Sequence, residues 1–165
     1  MVRIKDRLQQ RLLDNQVHYE REEILWMLDY IGHPDYKIRD ELIFVSLARA
    51  IQEQLFTKDQ FDFVVIEALK RQGLLYKKEE VGQATLTRSF TALLFANLLH
   101  ADAKKNSLYF KRLSSQQRMA LFEQGLSYLL YENDRIGYSE EYGWVHAFAH
   151  GAETPPSFSC DLRGS

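Results

Sequence analysis

The sequence predicts an all-α fold. Apolar residues recur at three- and four-residue intervals along nearly all of the chain. Helix-start and helix-stop signals fall between these runs, and no Asn-Gly or Asp-Gly turn separates alternating stretches of the kind that make hairpins. With 165 residues, 45% of them apolar and 27% charged, the chain has the composition of one globular domain with a sizeable core.

The elements follow in order. Ile4, Leu8 and Leu12 give the first helix an apolar stripe. Glu20 to Ile31 repeats it with Ile24, Leu25, Leu28 and Ile31, and Gly32-His33-Pro34 ends it. Asp35 is the expected N-cap of a long helix reaching Leu55 and carrying Ile38, Leu42, Val45 and Ala48. Thr57 and Gln60 have capping-box spacing ahead of Phe61, Val64, Val65, Ala68 and Leu69, with Gly73 as the stop. Gln72 to Ala84 reads as the loosest connection. A helix from about Thr85 to Lys104 follows. Ser114 and Gln117 form a second capping box before an expected inward stripe of Met119, Phe122, Leu126, Leu129 and Leu130. Asn133 to Tyr142 reads as a polar turn, and a last helix is expected from Trp144 to Ala152.

Successive helix pairs suggest an irregular HEAT-like stack, an α-α superhelix. The turn Gly32 to Arg39 is similar to the inter-helix turn of HEAT repeats, in which an Asp and an Arg brace neighbouring repeats. Pair starts near Glu20 and Lys58 have a HEAT-length spacing, and the one near Ser115 does not.

Composition narrows the function classes. A net charge of −2 offers no basic field for nucleic acid. The longest uncharged run, Ser89 to Ala101, is too short for a bilayer span, and Met1 to Asp14 lacks the apolar core of a signal peptide. A single cysteine, Cys160, fits a reducing cytoplasm. No Walker loop, dinucleotide glycine pattern, nucleophile elbow or Cys-x-x-Cys pair is present.

Two groups of side chains could carry chemistry. His146 and His150, spaced i, i+4, share one helix face, and Glu153 lies one turn further on. Together they could hold zinc or a similar divalent ion with a position open for water. The pair lacks the intervening glutamate of a metalloprotease helix, since Ala147 and Phe148 fill that space. The plainer reading has both imidazoles hydrogen-bonded within a polar concave face and no cofactor. Arg88 could present its guanidinium to an anion or bridge two helices as scaffold. Glu132, Asp134 and Arg135 precede the histidine helix as possible partners of its imidazoles or as caps, and Trp144 packs beneath that turn.

"TRSFTALLFANLL" (Thr87 to Leu99), "YLLYEND" (Tyr128 to Asp134) and "GWVHAFAHGAE" (Gly143 to Glu153) together resemble an uncharacterised bacterial, Firmicutes-type family, a domain of unknown function. Its signature is G-W-x-H-x-x-A-H-x-x-D. Gly143, Trp144, His146, Ala149 and His150 match it, and Glu153 stands where the family has Asp. The resemblance implies an all-helical HEAT-like fold and a candidate face of Arg88, Asp134, Trp144, His146 and His150, without an assigned activity. It also implies further helices beyond this point, whereas Thr154 to Ser165 has a Pro-Pro pair and no helical period. A one-base shift from codon 153, for one choice of codons, turns that tail into an amphipathic helix. The expected organisation is therefore a helical domain over 1–152 and a disordered or frameshifted tail over 153–165. An exposed apolar carboxyl end open to self-association goes with it. The function expected is a cytoplasmic binding or scaffold domain for an unidentified protein or small molecule, with neither nucleic acid nor membrane as partner. The alternative is a metal-dependent hydrolase built on His146 and His150.

Overall fold

A computed structural model describes residues 2–15, 17–132 and 138–144. It is helical, as the periodicity requires. The helices are α1 (Val2–Leu13), α2 (Arg21–Asp29), α3 (residues 36–52), α4 (Lys58–Arg71), α5 (Gln83–Ala103) and α6 (Ser115–Tyr131). Within α3 an α-helical first turn, Tyr36–Ile38, passes into a π-helical stretch, Arg39–Phe44, and returns to α-helix over Val45–Gln52. Contacts link α1 to α2, α2 to α4, α3 to α5 and α4 to α6, and α5 also touches α4 and α6. No described helix is long and apolar enough to cross a membrane.

The caps sit where the sequence places them. The Asp35 carboxylate accepts from the Lys37 N–H at 2.9 Å. Thr57 and Gln60 exchange side-chain and backbone hydrogen bonds at 3.0 and 3.1 Å, as do Ser114 and Gln117. Each exchange satisfies two groups that a helix start leaves open. The carboxyl end of α1 is closed from a distance, by Arg49 donating to the carbonyls of Arg11, Leu12 and Asp14. Leu8, Ile24, Met27, Ile43, Ile51, Phe61, Val64, Leu86, Phe95 and Leu98 form the centre of one core. Tyr109 lies flat on Phe61, ring centroids 4.2 Å apart, and donates to the Phe56 carbonyl at 2.7 Å, which ties the α5–α6 connection to the core.

Four details differ from the sequence reading. The helix through Lys58–Arg71 was expected to close on Gly73, but Gln72 takes the left-handed cap position, with φ of 51°. Gly73 answers a different need: a Cβ there would lie 2.3 Å from Thr91 Oγ1. The α3 helix, expected to reach Leu55, ends at Gln52. On α6 the buried residues are Leu121, Gly125 and Tyr128, while Met119, Leu126 and Leu130 are 46, 41 and 68% exposed. That helix is apolar on more than one face, so periodicity alone could not choose the inner one. Finally, the backbone at Trp144 is not the start of a helix. Gly143–Trp144 is an extended strand, β2, paired antiparallel with β1 (Tyr138–Ser139) in the register Tyr138↔Trp144 and Ser139↔Gly143. Gly143, with φ of 77°, and the Ser139 hydroxyl, accepting from the Glu141 N–H at 3.2 Å, form the turn.

Candidate functional site

The amino-terminal half of α5 is the point at which three parts of the chain meet. Its first face carries Arg88. This side chain is 1% exposed and its partner Glu132, just past α6, is 2% exposed. Nε and Nη2 of Arg88 donate to the two Glu132 oxygens at 2.7 and 3.1 Å, the fork-to-fork geometry that a guanidinium and a carboxylate share. Nη1 donates to the carbonyls of Tyr76 and Lys77 at 2.9 and 2.8 Å, and Nη2 to the Glu80 carbonyl at 2.6 Å and the Thr85 hydroxyl at 3.1 Å. Arg88 therefore holds the connection after α4 and the end of α6 to the same turn of α5. The polar wrap explains how the loosest stretch of the sequence acquires a fixed course.

A second buried guanidinium does the same for β1–β2. Arg39 donates from Nε to Asp40 at 2.7 Å, from Nη1 to the carbonyls of His33 and Pro34 at 3.0 and 3.3 Å, and from Nη2 to the Tyr142 carbonyl at 2.5 Å. Its plane lies 5.2 Å from the Phe90 ring centre on α5. Burial lowers the Arg39 pKa, and the charge of Asp40 offsets part of that fall.

The adjoining face of α5, carrying Thr87 and Thr91, is open. Here lies a cleft of about 250 Å3 lined by Leu28, Ile31, Ala68, Leu94 and the two threonines, with Asp29, Arg71, Gly73 and Tyr76 completing it. A smaller polar hollow of about 200 Å3, bordered by Gly32, Lys77, Glu80 and Gln83, shares Tyr76 and Thr87 with it. Gly32 lets the α2–α3 turn reach α5, since a Cβ would stand 2.6 Å from the Thr87 nitrogen. The Thr91 hydroxyl donates back to the Thr87 carbonyl at 2.6 Å. Arg71 donates from Nε and Nη2 to a single oxygen of Asp29, Oδ1, at 3.1 and 2.8 Å, and from Nη1 to the Glu67 side chain. Burial works against the Arg71 charge, but its bonds to Asp29 and Glu67 outweigh it and the pKa rises.

Of the residues singled out from the sequence, Arg88 is placed as described and the Trp144 backbone lies in β2. Asp134, His146, His150 and Glu153 lie outside the described residues. Among the described residues no group of three or more His, Cys, Asp or Glu side chains could hold a metal ion. The cleft was not singled out. Its signal was faint: two glycines and two threonines that read as a stop, a turn and helix interior.

Two of the segments that carried the family resemblance meet here through Arg88 and Glu132, and Arg39, beside Phe90, donates to the Tyr142 carbonyl just before the third. A family model described as Protein of unknown function (DUF2785) matches residues 74–155. Over that segment, which holds α5, α6 and both strands, the chain is similar to this family of unknown function. No curated protein and no solved structure matches the chain.

Proposed function

We propose that the protein is a HEAT-like binding and scaffold module of the cytoplasm, and that the cleft beside Thr87 and Thr91 is where it takes a small ligand. The single observation behind this reading is the cleft itself, an apolar floor with a few polar groups at its mouth, which is the usual make-up of a ligand site. Contacts of α2 with α4, α3 with α5 and α4 with α6 are those of helices layered two apart, which supports the superhelical reading. The bracing of the α2–α3 turn by Asp35 and Arg39 supports it too.

Thermal melting against a panel of small amphiphiles tests this function. Ligands that raise the midpoint in the native chain should fail to do so in Ala68→Leu and in Leu94→Phe, which fill the floor while adding only apolar atoms. A panel without a stabilising member, or one acting equally on the filled variants, contradicts the reading.

The spacing of His146 and His150 favours a second reading, metal-dependent hydrolysis. Elemental analysis of the purified chain separates the two. The binding-module reading expects no stoichiometric transition metal, and a stoichiometric zinc or manganese would promote the enzyme.

A further inference from the structure

Taking the cleft as a ligand site, the next question is what head group its mouth accepts. The floor is branched and aliphatic: Leu28, Ile31, Ala68 and Leu94. At about 250 Å3 it falls below the roughly 300–1,000 Å3 of pockets that hold drug-sized molecules, so its occupant is a short aliphatic body. The mouth is asymmetric in charge. One guanidinium, Arg71, is shared by two carboxylates, Asp29 and Glu67, leaving one negative charge in excess. Both Arg71 bonds to Asp29 fall on Oδ1, and the Asp29 side chain, on the cleft wall, is about half exposed, so among the described residues no cation pairs with Oδ2. Tyr76 also lines the cleft, and the Lys77 ammonium stands 5.7 Å from its ring centre.

We propose that the cleft binds a short branched-aliphatic amine, its hydrocarbon on the Leu28–Ile31–Ala68–Leu94 floor and its ammonium on Asp29. An ammonium donates to the unused carboxylate oxygen and neutralises the excess charge. A carboxylate head would meet the like charge of Asp29, and a hydroxyl would bond Asp29 without neutralising it.

The experiment compares 3-methylbutylamine, 3-methylbutanol and 3-methylbutanoate, which share one hydrocarbon body, by NMR titration of the full chain at neutral pH. The expected order is amine, then alcohol, then carboxylate. The amine should lead the alcohol by about tenfold, because only the ammonium brings a charge opposite to that of the Asp29 carboxylate. Asp29→Asn, at an exposed position, should bring the amine down to the level of the alcohol measured on the same variant. If all three bind alike, or the carboxylate binds best, the head-group assignment is overturned while the cleft remains a ligand site. If none binds, both fall.

Discussion

Two adjoining faces of the same helix treat polarity in opposite ways. On the Arg88 face every guanidinium nitrogen is engaged by oxygens of this chain, and the carboxylate partner is as buried as the arginine. On the Thr87–Thr91 face the residues are small or apolar, and open volume remains. The charged residue that stands out in a sequence is thus the one whose bonding capacity the fold uses up. The unremarkable pair of threonines borders the space where something else can sit. A polar side chain becomes a binding group only when the chain leaves part of it unpaired, as at Asp29 Oδ2.

The contrast makes ordered predictions. Arg88→Met should be the most damaging change, costing about 3–5 kcal/mol, because it removes the guanidinium that holds both oxygens of the buried Glu132 carboxylate. Adding Glu132→Leu should recover a substantial part of that loss, since an apolar pair needs no counter-charge. Urea unfolding of both variants measures this, and a loss below about 1 kcal/mol for Arg88→Met would place the pair among inconsequential surface bridges. Gly32→Ala should cost about 1–3 kcal/mol, because its Cβ meets the backbone of Thr87 as well as its hydroxyl, and the backbone cannot turn away. Gly73→Ala should cost less, and adding Thr91→Ala should relieve it, since the clash there is with the Thr91 hydroxyl and methyl. The gentlest change is Thr91→Ala alone, shifting stability by less than about 1 kcal/mol while altering affinity for whatever the cleft binds. Equal damage from Arg88→Met and Thr91→Ala would erase the distinction between the faces.

Much of the fold was legible because it is written locally. Asp35, Thr57 and Ser114 cap helices by bonds to residues two or three positions away, a pattern visible in any short window. Long-range approach was not legible. Gly73 and Gly32 look like a helix stop and a turn, yet their places are set by Thr91 and Thr87 on a distant helix. The inner face of α6 is set for a related reason: Leu121 and Tyr128 are no more apolar in sequence than Met119 and Leu130, and the positions of α4 and α5 decide between them. As for the site, the sequence offered Arg88 as either anion group or bridge, and its partners follow from the path of residues 76–80, which no periodicity encodes.

The most direct measurement is a methyl-resolved NMR titration of the full chain with 3-methylbutylamine. The expected result is a common saturating shift at Leu28, Ile31, Ala68 and Leu94, with the methyls of Leu126 and Leu130 on the exposed side of α6 unmoved. Shifts confined to α6, or none at the four cleft residues up to saturating amine, would contradict the assignment of the Thr87–Thr91 cleft as the amine's site.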